Sequence, residues 1–246
     1  MARIELRDAI VRFKDGLSGA AAINDATPPV ATDVTITIDT VVLNTAVTTL
    51  VPVGARFTIA GETIATTVHT VTARTPASTG PTTEITFTPA LGAGTYVDNG
   101  VITFKPQQID IKVGEGNITH TRNKEYEYLT DRGDLDVVRE GNQVPLDVTI
   151  DFVYEFLTTG TGEAVTPSDA INGEGGAAEW VSSSPDLCQP YSIDIEIEHV
   201  PPCGTSETET TTLPFFRADS EECDLGAATV SAQGRCNVTK PTLVRS

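Results

Sequence analysis

Residues 191–202 read YSIDIEIEHVPP. Ile193, Ile195 and Ile197 alternate with Asp194, Glu196 and Glu198, and that period of two specifies a strand with one apolar face. The other face is purely acidic. Like charges side by side on a strand repel, so solvent-facing strands ordinarily mix Lys, Thr, Ser and Glu. An unbroken row of carboxylates needs a reason.

The same alternation organises most of the chain. In PLDVTIDFVYEFL (145–157), Leu146, Val148, Ile150, Phe152, Tyr154 and Phe156 form one face, while Asp147, Asp151 and Glu155 form the other. Val34, Ile36 and Ile38 alternate with Thr35, Thr37 and Asp39. Turn signals separate the runs: DRGD at 131–134, REGNQVP at 139–145 and GTGEAVTP at 160–167. Near the start, Leu6, Ile10, Phe13 and Leu17 also fit a helix. A strand from Ile10 to Lys14, ended by Asp15-Gly16, is the preferred reading. One helix is signalled, with Thr166 as N-cap, Pro167 at the first helical position and Asp169 three residues after the cap. Glycines 173, 175 and 176 keep it short, and Trp180 follows as a core anchor.

The 246 residues carry a formal charge of -18, and 39% are hydrophobic, enough for a sizeable core. The charge is unevenly placed. Residues 1–30 balance, and residues 31–105 hold five acids against Arg56, Arg74 and Lys105. The acidity therefore lies in residues 106–246. Such a balance excludes an ordinary nucleic-acid binder, which needs cations to displace counterions from phosphates. No segment approaches the apolar length of a membrane span. The opening MARIELRDAIVRFKDG has charges where a secretory signal needs an apolar run, so cytoplasmic synthesis without export is expected.

Residues 31–105 read as a separate unit, rich in Thr, Val and Ala, with short strand patterns ARFTIAG, VHTVTA, TEITFTPAL and NGVITF. This predicts a small β-barrel or sandwich inserted into a main domain made of residues 1–30 and 106–246. The expected fold is thus mainly β: a β-sandwich with one short helix, plus an inserted all-β domain.

No catalytic, cofactor-binding or metal site emerges, and an enzyme is not expected. His69, His120 and His199 fall on separate predicted strands without metal-ligand or triad spacing, and there is no phosphate loop or G-x-S-x-G. DRGDLD at 131–136 lacks the lead to a terminal Glu that a calcium loop needs, and reads as a hairpin turn. Cys188, Cys203, Cys223 and Cys236 match no zinc pattern. Cys188 and Cys203 bracket a strand too long for them to bond each other, so any disulfide would pair one of them with Cys223 or Cys236. Reduced, buried thiols are the expectation.

Four predicted strands carry a single-sign face: Glu125 and Glu127 in KEYEY, Asp134 and Asp136 in GDLDV, Asp147, Asp151 and Glu155 in PLDVTIDFVYEF, and Asp194, Glu196 and Glu198 in SIDIEIE. Two readings stand: a generic acidic exterior that aids solubility, or one sheet whose negative face lines something that must not stick.

Ordered blocks of the chain resemble tailed-bacteriophage tail tube proteins. They are IELRDAIVRFKDGLSG, GEGNITHTRNKEYEYLTDRGDLDVVREGNQVPLDVTIDFVYEFL, DLCQPYSIDIEIEHVPPCG and LPFFRADSEECDLGAATVSAQGRCNVTKP, covering most of the chain outside 31–105. The resemblance implies a β-sandwich that assembles into six-membered rings, stacked into a tube in the virion tail. Its implied partners are other copies of itself, the tape measure protein, and baseplate or tail-terminator proteins, with DNA passing through the lumen unbound and no membrane partner. The protein would be assembled in the host cytoplasm. Phosphates moving past a negative wall are repelled, which makes the ten carboxylates candidates for the lumen. Long strands such as 145–157, with no evident edge protection, would serve the self-assembly. Residues 31–105 would then be a decoration domain. Two alternatives share the composition: another virion component, such as a decoration or head–tail joining protein, and a calcium-dependent adhesin.

Overall fold

The structure is a computed structural model. It describes the chain except residues 1–8, 25–28, 44–49, 65, 77–81, 115, 133, 159–163, 187, 200–207 and 246. The described residues are mainly β, with one short α-helix. They divide into two compact units. One comprises residues up to Phe13, Asp110–Glu155 and Ser192 onward; the other comprises Lys14–Ile109 and Phe156–Tyr191.

The first unit is built on an eight-stranded sheet. Its strands run in the order β8 (Gln108–Ile111), β1 (Ala9–Lys14), β15 (Ile193–His199), β16 (Glu209–Asp224), β17 (Thr229–Cys236), β12 (Leu146–Val153) and β9 (Ile118–Thr121), with β18 (Thr242–Arg245) also on β16. Register confirms the alternation read from sequence. Leu146, Val148, Ile150 and Phe152 face Cys236, Gly234, Ala232 and Val230 across the β12–β17 ladder, all on the buried side. β1 starts within a residue of its expected position, and its Val11 and Phe13 are buried.

That sheet bends back over its own apolar face. β1 and β12 are four places apart, about 19 Å in a flat sheet at the usual strand spacing. Yet the Phe13 and Phe152 rings meet edge to face at 5.9 Å. The bend has a local cause in β16. The stretch Leu213-Pro214-Phe215-Phe216 interrupts the β15–β16 register between Ile193 and Ile195, and Phe215 takes a positive φ of 57°. β16 pairs with β18 and β15 on the N-terminal side of this irregularity, Phe216 pairs with both Ile193 of β15 and Cys236 of β17, and beyond it β16 pairs with β17.

β12 departs from expectation in two ways. β12 stops at Val153, and Phe156 is 74% exposed rather than the last member of an apolar face. Nor is 145–157 an unprotected edge, because β12 is paired on both sides, by β17 and β9.

Between β9 and β12 the chain forms a separate hairpin of β10 (Tyr126–Asp131) and β11 (Asp134–Glu140), which pair only with each other. β10 ends at Asp131, which pairs with Asp134 at the start of β11, so the hairpin reverses where DRGD predicts.

The second unit centres on a closed barrel of β2 (Gly19–Ile23), β3 (Thr35–Leu43), β6 (Glu84–Thr88), β5 (His69–Thr75), β4 (Arg56–Ile59) and β7 (Val101–Lys105). Its core includes Ile23, Ile38, Phe57, Val71, Ile85, Phe87 and Ile102. The expected boundaries of 31–105 are too narrow. β2 closes the barrel by pairing with both β3 and β7, and the unit extends from Lys14 to Ile109. Buried Asp15 secures the start of this unit, accepting backbone N–H groups from Gln107 (2.7 Å), Leu17 (3.1 Å) and Val181 (3.2 Å).

The segment 156–191 also belongs to this unit. It holds a small ladder of β13 (Leu157–Thr158) and β14 (Ala164–Val165), helix α1 (Pro167–Asn172) and a 3-10 turn. Helix α1 carries the expected capping box. Thr166 Oγ1 accepts the Asp169 N–H at 3.0 Å, the Asp169 carboxylate accepts the Thr166 N–H at 2.9 Å, and Gly173 ends the helix at φ 66°. Trp180 is buried.

Candidate functional site

The ten acidic candidates do not lie in one sheet. Asp147 and Asp151 on β12 and Asp194, Glu196 and Glu198 on β15 occupy the same, polar face of the eight-stranded sheet, opposite the buried row. Glu155 lies just beyond β12. Asp134 and Asp136 are on β11 and Glu127 on β10, in the separate hairpin, with Glu125 immediately before it. The single-sheet expectation is therefore corrected to two groups, because β10 and β11 pair with each other and with no other described strand.

The polar face answers what sits beside the acidic stripe of β15. Arg12 on β1 reaches Glu198 at 2.5 Å and Glu196 at 3.2 Å through Nη1, and Asp110 on β8 at 3.1 Å through Nε. The guanidinium is only 18% exposed; burial by itself lowers its pKa, but Glu198, Glu196 and Asp110 together outweigh that and raise it. One cation thus bridges three acids from two flanking strands. The fork of guanidinium donors suits that task, where a single ammonium would reach fewer partners.

Most of the other candidates also have partners. Asp147 pairs with Arg235 of β17 at 3.1 Å and accepts the Asn123 side-chain N–H at 2.8 Å. Glu155 pairs with Lys112 at 2.9 Å. Asp151 accepts the Asn117 N–H at 3.3 Å, and Glu125 the Asn142 N–H at 3.2 Å. Asp194 accepts the Phe215 N–H at 2.9 Å. Glu127 is exposed and faces Arg139 across the hairpin.

The face is mixed but remains net acidic. Asp110, Asp147, Asp151, Asp194, Glu196, Glu198 and Glu222 share it with Arg12, Arg217 and Arg235, so carboxylates outnumber cations. Glu222 was missed by sequence reasoning. It joins Asp151 through Ser231 only because a bulge between Ala218 and Ser220 shifts the parity of β16.

A second feature lies on the hairpin. Tyr126, Tyr128, Leu135 and Val138 fall on one of its faces by register, exposed by 42%, 60%, 71% and 54%. The tyrosine rings stand 6.5 Å apart. No other described strand pairs with this hairpin.

No family model, curated protein or solved structure matches this chain.

Among the described residues, no group of three or more His, Cys, Asp or Glu side chains is arranged to hold a metal ion. No described helix is long and apolar enough to cross a membrane. His69 has a structural task that its sequence position does not reveal. Fully buried on β5, it donates through Nδ1 to the Pro89 carbonyl at 2.8 Å, and Nε2 lies 3.2 Å from Glu62. Glu62 in turn accepts the Gly92 N–H at 2.7 Å, and Phe57 stacks on the imidazole at 5.3 Å. This pair ties the 89–92 segment to the barrel.

The thiols meet the expectation in part. Cys188, Cys223 and Cys236 are free, but of these only Cys236 is buried; Cys203 lies outside the described residues. Burial, and secondarily the charge of Asp194, pushes the Cys236 thiol up to about 12.

Proposed function

We propose that this chain is a structural subunit of a bacteriophage tail tube, a β-sandwich protein that forms hexameric rings stacked around a DNA-conducting lumen. The observation that carries the proposal is the β10–β11 hairpin. An isolated two-stranded hairpin is marginally stable in water, and this one exposes two tyrosines, a leucine and a valine on one face. A second chain packing there would bury apolar surface that its own chain leaves open.

The bent eight-stranded sheet supports the sandwich reading, since strands that turn a corner at a bulge are how two packed sheets share a strand. Among the described residues its end strands β8 and β9 each pair on one side only, as ring closure by sheet extension requires. The net-acidic polar face suits a lumen wall, because its carboxylates outnumber its cations and repel phosphates. The barrel unit takes the role of an outer decoration domain. In this reading the protein is not an enzyme and resides in the virion tail.

Negative-stain microscopy of the purified protein tests the proposal. Rings with six-fold symmetry, or hollow tubes, are expected. A protein that stays monomeric at high concentration by light scattering and microscopy would overturn it.

A further inference from the structure

The first unit carries an acidic turn with an apolar tip at one end of its sheet and a cation-rimmed apolar cleft at the other. We infer that these two ends engage in successive copies, stacked head to tail. The inference rests on the self-assembly reading above and adds the contact that would join one ring to the next.

Register places the two features at opposite ends. Leu146, Cys236 and Phe216 are cross-strand neighbours at one end of β12, β17 and β16; Val153, Thr229 and Asp224 are neighbours at the other. Seven residue steps along β12 correspond to about 23 Å.

At the Asp224 end the chain reverses through residues 225–228. The Asp224 carboxylate accepts the N–H groups of Gly226 (2.8 Å) and Ala227 (3.1 Å) and holds the turn. Leu225 stands at its tip, 77% exposed, with exposed Glu221 and Glu222 on the strand behind it. At the Leu146 end, Val144, Val238 and Leu243 line two adjoining clefts, and the Leu146 N–H donates to the Val238 carbonyl at 2.8 Å. Arg122, Lys124 and Lys240 rim these clefts. Glu125 and Glu140 line the first cleft and balance Arg122 and Lys124 in number, so the net positive charge is that of Lys240 at the second. The nearby Arg235 and Arg245 are ion-paired within the chain, whereas these three cations form no ion pair among the described residues.

An apolar knob and an apolar hole on different surfaces of one molecule cannot satisfy each other within a two-fold dimer. They produce a heterologous contact that propagates in one direction. Opposite charges around knob and hole would set its direction and disfavour head-to-head pairing. The occupant of the cleft is thus the Glu221–Leu225 segment of a second copy.

Charge exchange tests this. One variant carries Glu221→Lys and Glu222→Lys; the other carries Arg122→Glu, Lys124→Glu and Lys240→Glu. All five side chains are exposed, and circular dichroism with thermal melting checks that both variants fold. Sedimentation velocity at low salt, with microscopy, reads the assemblies. Each variant by itself should lose stacked species at concentrations where the parent chain stacks, while single rings persist. An equimolar mixture should restore stacking, because each reversed end meets an oppositely reversed one. Stacks in both single variants, or folded variants that fail to rescue one another, would overturn the inference and leave the ring proposal standing. Salt-sensitive head-to-tail chains of the parent without six-fold rings would support the inference and overturn the ring proposal. A parent chain that forms neither would overturn both.

Discussion

Asp194 and Phe215 are joined across the bend of the sheet: the Asp194 carboxylate accepts the Phe215 N–H at 2.9 Å, where Phe215 adopts a φ of 57°. A non-glycine residue at positive φ is strained and persists only where its surroundings hold it. The carboxylate therefore serves the fold at the point where β16 turns from one neighbour to another. Asp194→Ala should lower unfolding stability by about 1–3 kcal/mol, the cost of stranding a partly buried donor. Asp194→Asn, which keeps an acceptor oxygen, should recover most of it. Urea denaturation of both variants checks this. An alanine variant as stable as the parent would reduce Asp194 to a surface charge.

Close approach of two strands makes a second site sensitive. A Cβ on Gly234 would lie 1.9 Å from the Arg217 carbonyl oxygen and 2.8 Å from the Ala218 Cα, both backbone atoms of β16. Neither can move without breaking the β16–β17 ladder. Gly234→Ala should lower the melting temperature markedly or abolish soluble expression. Gly226→Ala is the control, since its Cβ would meet only the Asp224 Oδ1 at 3.2 Å. Thermal melts of the pair should separate clearly.

These two sites also mark where the sequence stops being legible. Helix α1 was readable to the residue because the Thr166–Asp169 capping box, Pro167 and Gly173 are all local signals. β12 and β15 were readable because burial on one face imposes a period of two. β16 was not, because Pro214-Phe215 and the bulge at 218–220 twice reset its parity, so no alternation runs through its length. β2 was hidden for a different reason. GAAAI has small apolar residues at successive positions, and its pairing with β7 joins positions about 80 residues apart in sequence. The acidic faces were visible, but their neutralisation was not. Arg12 meets Glu198 across 186 residues of sequence, a distance that no periodicity spans.

The buried thiol gives a pH-dependent prediction. Cys236 titrates near 9.0 when unperturbed and is pushed up to about 12 in the fold. Between those values the unfolded chain releases a proton that the folded chain keeps. Stability from this group is therefore fully present below about pH 9 and is lost as pH rises towards 12, by up to about 1.4 kcal/mol per pH unit. Tyr191, raised by burial, adds a loss of the same sign above about pH 10. Cys236→Ala should flatten the dependence between pH 9 and 10 in particular. With a thiol reagent at pH 8, exposed Cys188 and Cys223 should react in the native state, and Cys236 only after unfolding.

Arg12 provides a test of how the acidic stripe is tolerated. Removing it would leave Asp110, Glu196 and Glu198 facing one another without their shared cation. Arg12→Ala should be destabilising by roughly 2–4 kcal/mol, because a partly buried group of charges loses its partner. Arg12→Lys should rescue only part of this, since an ammonium does not reproduce the guanidinium fork. The penalty should shrink in part at high salt, where repulsion among the three carboxylates is screened. A penalty that persists unchanged at high salt would assign the loss to the packing of the arginine stem instead.

The lumen assignment is tested last, using acids that do not build the fold. Glu127 is exposed on the hairpin, and Asp151 lies on the polar face with one weak backbone contact of 3.3 Å. Changing both to Lys leaves the buried rows of β12 and its neighbours intact, so particles should still assemble. If these faces line the channel, new cations would give passing DNA phosphate contacts that release counterions, and each such contact strengthens as salt falls. DNA ejection should then slow, most at low ionic strength, and recover at high salt. Neutral Glu127→Gln with Asp151→Asn should have a smaller effect, because it removes repulsion without adding attraction. If the acids face outward, the lysine variant would change particle mobility in a gel and leave ejection kinetics unaltered at every salt concentration.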